Sequence, residues 1–135
     1  MKKSYILLIA LFLLSCKKDQ EISDLKKTIA GTWEYETFSG YPFNSPALPP
    51  GNGKIIVIGE DGSFKRMQHD TLLFSGSYAL SKKKDCHPGN SNIVFSTNED
   101  PSGDYRYIDV ADGKLTLSTP NCYQDGGTAY YRRIE

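Results

Sequence analysis

From residue 31 onward, apolar and polar positions alternate with a period of two. Trp33, Tyr35 and Thr37 fall on one face and Glu34 and Glu36 on the other, the pattern of a half-buried strand. The two glutamates are expected to face water. Further strand signals follow at 54–58, 63–69, 72–80, 92–97, 104–110, around Leu115 and Leu117, and at 128–134. In the fourth segment Leu72, Phe74, Gly76, Tyr78 and Leu80 share a face. In the sixth, Tyr105 and Tyr107 oppose Ile108 and Val110. Turn residues separate the segments: Glu60-Asp61-Gly62, Asp70-Thr71 and Asp112-Gly113. Eight short strands joined mostly by tight turns predict an all-β fold, an antiparallel up-and-down barrel that closes on itself and leaves no edge.

Two stretches break the alternation. Ahead of the first strand, Ile22, Leu25 and Ile29 recur at helical spacing, with Ser23 as N-cap and Gly31 as the stop. This predicts a short helix plugging one end of the barrel. Between the first and second strands, 39–53 carries Pro42, Pro46, Pro49 and Pro50, which a ladder strand does not tolerate. Tyr41, Phe43 and Leu48 within it predict a packed flap.

The N-terminus has a different pattern. Met1-Lys2-Lys3 precedes an unbroken apolar run, Tyr5 to Leu14, and then the small residue Ser15. Ten residues rise about 15 Å as a helix, half of a hydrocarbon core of about 30 Å, so the run reads as a secretory signal and not a span. Leu13-Leu14-Ser15-Cys16 resembles the lipobox of bacterial lipoproteins. The resemblance implies a signal peptide over 1–15, lipid (including fatty acyl chains such as palmitate) on Cys16, a lipidated tether over 16–23 and a barrel domain over 24–135. Each buried methylene contributes about 0.8 kcal/mol, so two or more chains anchor firmly. The expected location is the outer membrane, facing periplasm or cell surface.

Charge adds exclusions. The chain has 16 basic and 16 acidic residues; without Lys2 and Lys3 the balance is 14 to 16, a net −2. Nucleic acid is not an expected partner. Lys82-Lys83-Lys84 reads as a solvated run. With Cys16 given to lipid, Cys86 and Cys122 remain, and outside the cytoplasm a disulfide between them is expected. It would close a 37-residue loop and contribute on the order of 4 kcal/mol. The rival is zinc on Cys86, His87, Cys122 and His69, but adjacent Cys86-His87 lacks zinc-ligand spacing. No metal or cofactor is expected. Gly-x-Ser-x-Gly, P-loop, His-Glu-x-x-His and dinucleotide patterns are absent from the sequence, so an enzyme is not expected.

At Gly31-Thr32-Trp33 the pattern of helix, Gly-x-Trp, eight strands and a long first loop resembles the lipocalins, as does the ending Tyr130-Tyr131-Arg132-Arg133-Ile134. The resemblance implies that Trp33 closes one end under an arginine. We assign that role to Arg132, with Arg133 as the alternative, because alternation does not say which one faces in. It also implies a cup at the other end with the 39–53 loop as its lid. Tyr35, Phe74, Tyr78, Tyr105 and Tyr107 are the ligand-lining candidates. An eight-stranded interior is either filled by side chains or holds one small ligand. The leading expectation is a membrane-anchored protein that binds or carries a small apolar ligand. The alternative is a filled barrel acting through the 39–53 loop on a protein partner, as a protease inhibitor or an accessory subunit of a surface complex.

Overall fold

The computed structural model describes residues 20–83, 93–99, 102–120 and 125–135. Cys16, Cys86 and Cys122 lie outside the described residues, and the lipidation and disulfide expectations lie there with them.

Eight strands form in order: β1 (Gly31–Gly40), β2 (Lys54–Ile58), β3 (Ser63–Gln68), β4 (Thr71–Lys82), β5 (Ile93–Thr97), β6 (Tyr105–Ala111), β7 (Lys114–Ser118) and β8 (Gly127–Arg133). Each pairs antiparallel with the next, and β8 returns to β1, closing the barrel. The tight turns work as their residues dictate. Asp112 and Gly113 both have positive φ, 52° and 71°, which matches the twist of the strands they join. The β3–β4 turn lies one residue earlier than expected, at His69 and Asp70, with φ of 46° and 63°.

A helix, α1, occupies 20–29. It is already formed at Gln20, ahead of the expected start at Ser23. Ile22 and Leu25 pack against the core, Ile29 is fully buried, and the Trp33 indole N–H donates to the Ile29 carbonyl at 2.7 Å. The helix therefore plugs the end of the barrel where β1 begins.

The strand registers identify the inner face. Trp33 opposes Ile56, Ile58 opposes Phe64, Ile108 opposes Leu117, and Leu115 opposes Tyr131. Gly76 faces Phe64, and a Cβ there would come within 2.6 Å of the Phe74 ring. The glycine leaves room for that ring beside Phe64.

Two bulges revise the alternation read from the sequence. In β1 Tyr35 opposes Tyr131 but Thr37 opposes Tyr130. The extra residue, Glu36, takes Thr37 off the face of Trp33 and Tyr35 and puts Phe38, opposite Ala129, in its place. In β4 the register shifts so that Arg66 opposes Phe74 while Met67 opposes Leu72. Leu72 leaves the inner face, and it and Leu73 are exposed.

Candidate functional site

The helix end is solid. Trp33, Ile29, Ile58, Ile108 and Leu115 are among its fully buried side chains. The Arg133 guanidinium lies 4.3 Å from the Trp33 ring centroid, and its N–H groups donate to the carbonyls of Ala30 and Thr28. It thus covers the indole face and satisfies carbonyls at the end of α1. Arg133, not Arg132, takes the closure role. The reason is parity: Leu115 pairs with Tyr131, so Tyr131 and Arg133 point inward and Arg132 points out.

Arg132 instead joins a cluster on the outside. Its Nε lies 3.3 Å from Glu34 Oε2, and its guanidinium donates to the Leu48 carbonyl. Glu34 is 2% exposed, which overturns the solvated reading. The amides of Gly51 and Gly53 donate to its two oxygens at 3.1 and 3.2 Å. Glu36 pairs with Lys114 at 3.3 Å.

These contacts also correct the lid. The 41–53 segment runs back along β1 instead of crossing the barrel end. The Ser45 amide donates to Phe38, the Leu48 amide to Glu36, and the Asn52 side chain to the Tyr35 carbonyl. The cause is an edge problem. β1 pairs with β2 only over Gly31 to Glu34, so its groups from Tyr35 onward need other partners, and the proline-rich segment supplies them.

Away from α1 the barrel interior opens. A cavity of about 430 Å³ is floored by Ile56, Phe64, Phe95, Leu117 and Tyr131. Arg66, Arg106, Glu99 and Asp104 stand around it. A second cavity of about 310 Å³ shares Ile56, Arg66 and Tyr131 and adds Tyr35 and Lys54, where β1 and β2 part. Volumes of this order fall in the range of small-molecule sites, roughly 300–1,000 Å³.

Polar groups in the cup differ in how they are engaged. Arg66 donates from Nε to Glu99 at 2.8 Å and forms an ion pair with it. Arg106 faces inward beside Phe95 and makes no ion pair with another described residue. The Tyr131 phenol is pushed up to about 12, chiefly by burial and further by neighbouring Tyr35, against the opposing pull of Arg66 and Arg106. Its ring meets Tyr35 edge-on at 5.7 Å.

The expected lining residues divide. Tyr35 borders the second cavity. Tyr78 is buried in the core, stacked on Phe95 at 5.2 Å, and its hydroxyl donates to the Gly59 carbonyl. Phe74 packs against Phe64 at 6.2 Å. Tyr105 and Tyr107 lie on the outer face of β6, because Arg106 and Ile108 hold the inner one; Tyr107 is nevertheless buried, opposite buried Val94, and Lys83 Nζ lies 3.7 Å over the Tyr105 ring. Arg66 and Arg106 are lining residues that the alternation did not single out. The signal for Arg106 was present: it shares a face with Ile108 and Val110, already separated from the tyrosines by alternation.

Among the described residues, no His, Cys, Asp and Glu side chains gather as a metal site, and no helix is long and apolar enough to cross a membrane. No family model, curated protein or solved structure matches the chain.

Proposed function

We propose that this chain is a lipid-anchored, lipocalin-like carrier that holds a small, largely apolar ligand in the cup of its barrel. The observation that carries the reading is the 430 Å³ cavity floored by Ile56, Phe64, Phe95 and Leu117 inside a barrel whose other end is solid. An apolar floor with a few polar groups at the rim is the usual make-up of a small-molecule site. The anchor rests on the sequence: the apolar run ending in Leu13-Leu14-Ser15-Cys16. On this reading the protein would sit at the outer membrane and work by binding.

One observation favours a second reading, a protein-interaction module. Tyr41 and Phe43 in the segment along β1 are 73% and 75% exposed. Exposed aromatics of this kind are common anchors at interfaces.

Native mass spectrometry of the protein purified from its own membranes separates the two. A co-purifying small molecule supports the carrier. A chain of clean mass, captured with a protein partner that is lost on changing Tyr41 and Phe43 to serine, selects the module. The same spectrum reports the anchor, because acylation at Cys16 adds the mass of the lipid.

A further inference from the structure

The open half holds two spaces, and Arg66 stands between them. The 430 Å³ cavity lies toward β5, β6 and β7, against Phe95, Ser96 and Leu117. The 310 Å³ cavity lies toward β1 and β2, against Tyr35, Lys54 and Ile55, with Leu73 beside it. Ile56, Tyr131 and Arg66 line both. Ile56 and Tyr131 belong to the floor. Arg66 is half-exposed along its side chain and so rises to the mouth. Its course is fixed at both ends. The residue sits on β3 opposite Phe74 of β4, and its guanidinium reaches past β4 to Glu99, just beyond the end of β5. Its Nε donates to Glu99 at 2.8 Å. Two strand spacings, about 10 Å, separate β3 from β5, so the side chain lies extended over the inner face. Glu99 is held in turn through its neighbour. The Asn98 amide donates to the Ser77 carbonyl at 3.1 Å, and the Asn98 side chain accepts from the Ser77 amide at 2.8 Å. Charge does not choose the guest, because among the described residues Arg66 and Arg106 stand against Glu99 and Asp104 around the larger cavity. That leaves shape.

From this geometry we infer that Arg66 sets the size of the guest: braced by Glu99, it divides the open half and confines the ligand to the larger cavity. The inference rests on the carrier reading and names the class that the cup selects, a compact, uncharged apolar molecule. Each methylene that finds apolar surface contributes about 0.8 kcal/mol, about fourfold in affinity. A chain that outgrows the larger cavity has two courses. It can push past Arg66, which takes a guanidinium and a carboxylate out of water, or it can leave its end in solvent. Neither adds affinity, so binding stops strengthening at the length that fills one cavity. Without the Arg66 side chain the two cavities join across Ile56 and Tyr131, and a longer chain finds apolar surface to cover.

The test is calorimetric titration of the purified full chain with the straight 1-alkanols from butanol to dodecanol, in detergent-free buffer below their solubility limits. In the wild-type chain affinity should rise about fourfold per methylene and then level off. In Arg66→Ala the rise should continue to longer alkanols before it levels. Glu99→Gln should shift the plateau the same way, because the guanidinium is then free to swing into solvent. The shortest alkanols should bind all three chains alike, which also shows that the variants keep their fold. A plateau at the same length in Arg66→Ala as in the wild-type chain, or a wild-type affinity that never levelled, would overturn the partition while leaving the carrier standing. A plateau unmoved by Glu99→Gln would overturn the brace. Failure of every alkanol to bind either the wild-type chain or Arg66→Ala would remove the carrier reading and this inference together.

Discussion

The two halves of one barrel use the same strands differently. Toward α1, Trp33, Ile58, Ile108 and Leu115 fill the interior and are almost wholly excluded from water. Two residues further along the same strands, Tyr35, Ile56, Arg106 and Leu117 border open space. Composition alone does not separate the halves, since both are floored by aliphatic and aromatic side chains. The separation comes from what each end has to cover it. The first half receives α1 and the Arg133 guanidinium. The second has no plug among the described residues, because the segment expected to act as a lid is committed to the edge of β1.

The comparison is sharpest on β7. Leu115 and Leu117 share a strand and a face, but one is fully buried and the other borders the cavity. Leu115→Ala should lose about 2–5 kcal/mol of unfolding free energy, because it leaves a void in a solid layer. Leu117→Ala should lose only about 1 kcal/mol, because it enlarges a space that already exists. Urea denaturation of the two variants gives the difference directly. Equal losses would mean that the cup closes around Leu117 in solution.

A smaller effect is expected at the seam. Glu34→Gln keeps the shape but weakens the bonds from Gly51 and Gly53 and leaves Arg132 without its charge partner. The loss should be about 2 kcal/mol. It should be local: the amides of Ser45 and Leu48, which bond β1, should exchange hydrogen faster, while the amide protons around Trp33 keep their protection. Uniform acceleration would show that the segment is integral to the whole barrel and not a cover for one edge.

The smallest effect is on pH dependence. The Tyr131 phenol is raised from an ordinary 10.0 to about 12 by burial, so the folded chain holds a proton that the unfolded chain has released. The sign follows. Stability from this group is unaffected below about 10 and falls as pH rises from there toward about 12. Alkaline titration of tyrosinate absorbance should show late-ionising tyrosines, since burial raises Tyr78 as well, with Tyr131 the most strongly raised, and Tyr131→Phe should remove the last step. If no tyrosine ionised late, Tyr131 would stand in water and the floor of the cup would be wetter than its lining implies.

Much of the barrel was legible in the sequence, because its rules are local. Alternation marks a strand, Asp112-Gly113 marks a hairpin, and Ile22, Leu25 and Ile29 mark a helix face. Tight turns between consecutive strands leave few ways to pair them other than with the next neighbour, and closure follows from edges that need partners. The site was less legible. Single-residue bulges at Glu36 and opposite Arg66 and Met67 reset which side chains face inward, and no local pattern announces a bulge. Parity on β8 put Arg133 on Trp33 and Arg132 on Glu34, although the two are adjacent and chemically identical. Burial of Glu34 depended on a segment that returns from 17 and 19 residues away. The sequence by itself determined the strands, their order and the helix, because each rests on residues close together in the chain. Only the tertiary structure decided which half is solid, which arginine closes it and which charges stand over the open half, because those follow from register and from contacts between distant segments.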